Sequence, residues 1–289
     1  MSMLYRQPTG SSISLGTLYV ITTPIGNLED ISARAVNLLR EVRLVAAEDT
    51  RRTRNLLSHF GIRASLTSYF EHNNHTKLAV IMTALQSGDV ALVSDGGTPT
   101  ISDPGYRLVR AAIDRGYRVV PVPGPSALLA GLVASGLPTD AFVFLGFLPR
   151  KSSARCRLLA ENACDRRTLV AFEAPHRLLS ALGDIETEMG DRQLVVAREL
   201  TKVHEEIFRG TAGGAQDHFS REGVRGEITL IIAGCPESRQ EIWSEARVRA
   251  ALRAAVECRV NTSQIARGIA ERSGWLRSDV YRMAIEEDL

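Results

Sequence analysis

The residues best placed to do chemistry form one run, Ser94-Asp95-Gly96-Gly97-Thr98-Pro99-Thr100-Ile101-Ser102-Asp103-Pro104-Gly105. Adjacent glycines let a main chain approach a ligand where a Cβ would exclude it. Asp95 and Asp103 set carboxylates on either side of that approach. The run lacks the G-x-G-x-x-G spacing and the P-loop lysine, so it is not built to cradle a dinucleotide or a nucleoside triphosphate. A turn with no ligand would draw on the same residue types.

Other clusters share its character. Ala47-Glu48-Asp49-Thr50-Arg51-Arg52-Thr53-Arg54 sets two carboxylates beside three arginines. It reads equally as an N-capped helix with acids on its positive end and as a phosphate clamp with a carboxylate near the chemistry. Thr22-Thr23-Pro24-Ile25-Gly26-Asn27-Leu28 and Phe172-Glu173-Ala174-Pro175-His176-Arg177 end apolar runs with small or charged residues. So does Ala197-Arg198-Glu199-Leu200-Thr201-Lys202-Val203-His204-Glu205-Glu206. His176 suits a base, a phosphate contact or a cap. His72 and His75 have no third ligand placed by the sequence, so no metal site is expected. Arg150, Lys151, Arg155, Arg157, Arg166 and Arg167 outnumber nearby acids, and form either a phosphate-binding patch or a solvated helix face.

The elements that must position these residues alternate. Strands are expected at 18–23, 44–47, 90–94 and 118–122, with helices at 31–40, 50–59, 76–87 and 105–115. That order implies a mostly parallel sheet covered by helices. The proline-rich Pro121-Val122-Pro123-Gly124-Pro125 sets a boundary, after which Ser126 is placed to cap an apolar helix. A second set of strands, 142–147, 168–172, 194–197, 206–209 and 227–233, has helices at 152–162, 176–188 and 213–221. Neighbouring strands with no helix between them imply a mixed sheet. From 240 onward, helices at 244–257, 262–272 and 277–287 give a helix-turn-helix outline. The expected division is a disordered tail at 1–15, α/β domains at 16–122 and 123–236, and a helical extension at 237–289.

A chain of 289 residues with 44% hydrophobic residues can bury a sizeable core. A net charge of +2 does not announce a nucleic-acid partner, so any such surface must be local. Four cysteines without C-x-x-C spacing fit a reducing, cytoplasmic setting. The first residues lack the apolar core of a secretory signal, and no apolar run is long enough for a membrane span.

The stretches TTPIGNLEDIS, AAEDTRRTRNLL, VSDGGTPTISDPG, PVPGPSA, FEAPHR and ARELTKVHEE, in this order, resemble the 16S ribosomal RNA (cytidine-2′-O)-methyltransferase family, a branch of the tetrapyrrole methylase superfamily. The resemblance covers about residues 16–234, and the terminal helices look like that family's helical extension. It implies two α/β domains with S-adenosylmethionine in the cleft between them. Its contacts would be Pro24, Asp95, Gly96, Gly97, Thr98, Ser126, Ala127, Phe172, Leu200, Ile228 and Thr229. It also implies a homodimer acting on a cytidine ribose of the decoding centre in the small ribosomal subunit, with no membrane partner. Asp95-Gly96-Gly97 stands where Asp-Ala-Gly is commoner, a loss of one methyl group.

A sulfonium donor is already activated, so the protein must align it with a ribose oxygen and remove the hydroxyl proton. Candidate bases are Glu48, Asp49, Asp103, His176, Lys202 and Glu206. Arg51, Arg52, Arg150, Lys151 and Arg177 are candidates for holding RNA phosphates. A tetrapyrrole C-methyltransferase of the same fold is the principal alternative, and a nucleic-acid-binding regulator using the terminal helices is the other. The near balance of charge from 239 to 289 speaks against strong DNA binding.

Overall fold

The computed structural model describes residues 16–70, 74–222, 224–236, 243–255, 262–273 and 275–286. The expected tail at 1–15 and His72 lie outside the described residues, as does the side chain of His75. The chain divides into two compact units. The larger holds both sheets, up to Ala163 and over Arg167–Ala233; the smaller joins Cys164–Arg166 to the chain from Gly234 onward.

The first sheet contains β1 (Thr17–Ile21), β2 (Leu44–Ala47), β3 (Leu66–Ser68), β4 (Val90–Val93) and β5 (Arg118–Val122). Their order is β3-β2-β4-β1-β5, with every pairing parallel. The helices between them are α1 (Ala33–Glu41), α2 (Thr50–His59), α3 (Asn74–Leu85) and α4 (Tyr106–Asp114). Parallel strands covered on both faces need unbroken apolar sequence, and LVAA and VALV supply it. Leu18, Ala46, Val90 and Leu92 pack against Ile81, Leu85, Leu108 and Ala112. On the other face Ile21, Val45, Ala47 and Val93 meet Ala35, Leu39 and Leu57. Ser32 and Asp49 cap α1 and α2, accepting from the Ala35 and Arg51 amides at 3.1 and 2.8 Å. Pro121 stays within β5 because that strand is the sheet's edge and pairs only with β1.

The second sheet begins after α5 (Ala127–Ser135), which Ser126 caps through the Leu129 amide. Its strands are β6 (Phe142–Phe147), β7 (Thr168–Glu173), β8 (Gln193–Arg198), β9 (Glu206–Thr211) and β10 (Ile228–Ile232). The order is β6-β7-β10-β8-β9, parallel between β6 and β7 and antiparallel elsewhere. One face is covered by α6 (Ser152–Glu161), α7 (Leu178–Met189) and α8 (Ala212–Glu222). The other carries α5, with Leu132 against Val170, Val195 and Ile231. Gly131 makes that close seat possible, since a Cβ there would lie 3.1 Å from the Thr229 methyl.

Ile25, from the loop after β1, packs into this second core. The β1 loop therefore bridges the two sheets.

The smaller unit holds α9 (Glu245–Ala255), α10 (Thr262–Ser273) and α11 (Arg277–Glu286). Val248, Leu252, Ala266, Ile269, Val280 and Ala284 form its core. The Trp275 indole donates to the Trp243 carbonyl at 2.7 Å, and the Arg247 guanidinium sits 4.5 Å over the Trp243 ring.

Candidate functional site

Open α/β sheets bind ligands outside the carboxyl ends of their strands, and there the β1 and β4 loops are tied together. Thr23 and Gly97 exchange two main-chain hydrogen bonds of 3.0 and 2.9 Å. The Thr22 and Thr98 hydroxyls lie 3.2 Å apart, and the Thr23 hydroxyl donates to the Ser94 carbonyl at 3.1 Å. A Cβ on Gly96 would lie 3.2 Å from the Pro24 carbonyl oxygen, and Gly97 has φ +85°. Small residues are thus favoured at both glycines, because Pro24 and Ile25 of the β1 loop pack directly on them.

The carboxylates crowd the same edge. The Asp49 amide donates to the Asp95 carboxylate at 3.0 Å, and the Asp95 amide donates back to Glu48 at 3.2 Å. Arg52 Nε stands 3.6 Å from Asp95. Asp103 is driven up to about 7, chiefly by burial and then by the charge of Glu48, with Asp95 and Glu227 adding to it and a Ser94 hydrogen bond opposing. Glu48 is also raised, first by burial. Asp49 behaves oppositely: hydrogen bonds from the Arg51 side chain and amide hold it at about 2.

The second sheet contributes the turn after β8. Glu199 accepts from Lys202 Nζ at 2.7 Å and from the Glu227 amide at 3.0 Å, while Lys202 also reaches Glu227 at 3.4 Å. The Thr201 hydroxyl accepts from the Asn27 amide at 3.1 Å, and a Cβ on Gly26 would collide with Lys202 and Thr201. Among the described residues, the non-glycine residues at positive φ are Thr100, Ser102, Glu199 and Thr201. All four lie in these two loops. Strain of this kind persists where surrounding structure over-determines it, commonly at functional sites.

The structure separates the expected site residues. Pro24, Asp95, Gly96, Gly97 and Thr98 come together with Glu48, Asp49 and Asp103 through these contacts. Leu200 and Ala127 belong to the apolar cluster that Ile25 joins. Thr229 faces the start of that cluster through Gly131, and is register partner to Phe172, while Ile228 packs on the opposite face of the sheet. Ser126 is committed to its cap. Lys202 is raised: burial lowers it, but Glu199 and Glu227 outweigh that, so it remains a cation. Burial would raise Glu206, yet its hydrogen bonds to His218 and Arg198 hold it below its ordinary value. His176 is exposed in the turn Pro175–Arg177. Arg51, Arg52, Arg150 and Lys151 are exposed.

Arg177 is not a free cation: it pairs at 2.6 Å with Glu173, whose side chain is fully buried, and donates to the Leu148 carbonyl. Arg155 likewise leaves the expected basic patch, being buried against Asp184 at 2.5 Å. Sequence reasoning missed Glu173, Glu199 and Glu227 as partners. The signals available were short sequence spacings, four residues from Glu173 to Arg177 and three from Glu199 to Lys202. No group of metal-ligating residues occurs among the described residues.

Beside the carboxylate edge, a cavity of about 290 Å³ opens between α2 and the β1 and β4 loops.

The family described as Tetrapyrrole (Corrin/Porphyrin) Methylases matches residues 17–216. A protein of Synechocystis sp. named Ribosomal RNA small subunit methyltransferase I is 45% identical, over 94% of this chain and 98% of its own. One of Escherichia coli O157:H7 with the same name is 42% identical over 98% and 99%. A shorter one of Thermotoga maritima, 48% identical, is matched over 99% of its length by 76% of this chain. Among solved structures, a diphthine synthase aligns with TM-score 0.58 at 16% identity, covering 75% of this chain and 90% of that one. A uroporphyrin-III C-methyltransferase of Thermus thermophilus complexed with S-adenyl homocysteine aligns at 0.53 and 18%, covering 75% and 97%. At such identities these two speak for the fold.

Proposed function

From its membership of the ribosomal RNA small subunit methyltransferase I family, within the tetrapyrrole methylases, we propose that this methyltransferase transfers a methyl group from S-adenosylmethionine to the 2′-hydroxyl of a cytidine in 16S ribosomal RNA. The observation that carries the reading is the tying of the β1 and β4 loops at the strand ends beside a carboxyl raised to neutrality: Thr23 and Gly97 exchange two main-chain hydrogen bonds, and Asp103 stands at about 7.

The residues fit the donor. The carboxylates gathered at the loop edge, Glu48, Asp95 and Asp103, suit a cationic sulfonium. Pro24, Asp95, Gly96, Gly97 and Thr98 would hold it from the first sheet, and Ala127, Phe172, Leu200 and Thr229 from the second. S-adenosylmethionine supplies a methyl group already activated for displacement. The protein must place the ribose oxygen and take its proton. Asp103 is the best-suited base of the candidates, because a general base works best with a pKa near the operating pH. Asp49 is too acidic, Lys202 stays charged, and Glu206 is occupied by two partners. Glu48 raises Asp103 by its charge. Arg51, Arg52, Arg150 and Lys151 would meet RNA phosphates.

A homodimer fits the exposed Leu129 and Val133, one turn apart on α5, at 51% and 73% accessibility. Sedimentation velocity would show the dimer mass. A cytoplasmic setting follows from a ribosomal substrate. No described helix is long and apolar enough to cross a membrane.

The decisive experiment offers tritiated S-adenosylmethionine with small ribosomal subunits from a strain lacking this protein, and separately with uroporphyrinogen. Label should enter subunit RNA as an alkali-resistant ribose methyl. Label in the tetrapyrrole alone would overturn the reading.

A further inference from the structure

The cavity beside α2 shares Pro24 and Asp95 with the expected donor contacts and extends away from the others. Its walls are Thr23, Pro24, Leu28, Arg52, Thr53, Asn55, Leu56, Ser94 and Asp95. Neither Gly96–Thr98 nor any residue of the second sheet lines it. It is tied to the β4 loop, because Thr23 is hydrogen-bonded to Gly97 and Ser94 Oγ donates to the Gly97 carbonyl at 3.3 Å. It therefore adjoins the expected donor contacts at one edge and reaches α2 at the other.

Its chemistry is that of a site for a single base. Pro24, Leu28 and Leu56 give apolar surface for a flat ring, with Leu28 39% exposed. Asn55 is exposed, and none of the hydrogen bonds found among the described residues involves its amide. One carboxamide offers a donor and an acceptor together, which matches the adjacent amino and ring-nitrogen groups of a cytosine. Arg52 stands at the rim, its side chain 67% exposed and held to Asp95 only at 3.6 Å, free to turn to a phosphate. Arg51 and Arg54, on the same helix, are also exposed. At about 290 Å³ the space accepts one nucleoside and not a macrocycle. Single-stranded RNA is read in this manner, with unstacked bases lodged on apolar surfaces and hydrogen-bonded along their edges.

Resting on the reading given above, we infer that this cavity receives an unstacked pyrimidine base of the substrate RNA, that Asn55 reads its edge, and that Arg52 holds its phosphate. Asn55 thereby sets which nucleotide is presented, without touching the donor.

The test uses the full-length protein with small subunits lacking the methyl group. Asn55→Ala should raise the KM for subunits about tenfold, the size of a lost base-edge pair. Its kcat, melting temperature and calorimetric affinity for S-adenosylmethionine should stay at wild-type values. Leu28→Trp, which fills the cavity from a surface position, should do the same. An unchanged KM in both variants would overturn the inference. So would an equal loss of donor affinity, which would assign the cavity to the cofactor. If the wild-type protein methylates no subunit RNA, the reading beneath falls and this site falls with it. That result is distinct from a variant losing what the wild type has.

Discussion

Burial first, and then the neighbouring charge of Glu48, raise Asp103, and Glu48 is itself raised first by burial. The folded pKa of Asp103, about 7, lies above its ordinary 3.8. A base must be ionised, so kcat/KM should climb as pH rises through about 7 and level above it. The stability effect has the opposite sign. Between 3.8 and about 7 the folded state binds more protons than the unfolded chain, so stability falls as pH rises across that window. Asp103→Asn should abolish turnover and, at pH 8, melt above the wild type; an active variant with an unchanged pH profile would remove Asp103 from the chemistry. Asp95 acts differently, as the acceptor that joins the β4 loop to the start of α2. Asp95→Ala should cost about 1 kcal/mol of stability for the lost hydrogen bond and abolish donor binding measured by calorimetry. Undiminished affinity would disconnect the loop from the cofactor.

At the scale of elements, the β4 loop returns to α4 through Gly105, and there only glycine fits. Its φ is +143°, and a Cβ would lie 2.8 Å from the Leu92 side chain and 3.0 Å from the Thr100 methyl. Leu92 is a core residue of β4, so it has little room to yield. We expect Gly105→Ala to destabilise by about 2 kcal/mol in urea titration, and to weaken donor binding because Thr100 and Ser102 are strained in the same loop. A neutral substitution would mean that the loop relaxes freely. Most of these elements were legible in the sequence, because LVAA, VALV and the helices between them carry long apolar signals and clear caps. β3 was not: three residues, Leu66–Ser68, are too few for a period, and its place is fixed by pairing with β2. Arg155 and Arg177 read as surface cations because their partners, Asp184 and Glu173, meet them only through packing or a buried strand end. The crowded carboxylates were legible as residues, but their order of ionisation depends on burial, which spacing does not carry.

At the scale of the whole molecule, the helical unit has its own core and its own polar ties, separate from both sheets. The shorter Thermotoga maritima relative has no counterpart for about a quarter of this chain. The catalytic unit should therefore stand without the terminal helices: a chain ending at Pro236 should bind S-adenosylmethionine as the full chain does. What the helices add to RNA binding is limited by their charge. Arg249 is paired with Glu245 and Glu286 at 2.9 and 3.1 Å, and Arg282 with Asp279 at 2.8 Å. An arginine already neutralised releases few counterions from a phosphate backbone. Removing the unit should thus change the salt slope of subunit binding by less than about one, and any contact through the exposed Tyr281, Leu276 and Ile285 would be one that salt does not screen. Affinity should fall by a similar factor at low and high salt in filter binding. A slope that collapses with the truncation would instead make the terminal helices the main electrostatic anchor, and would demote the arginines of α2.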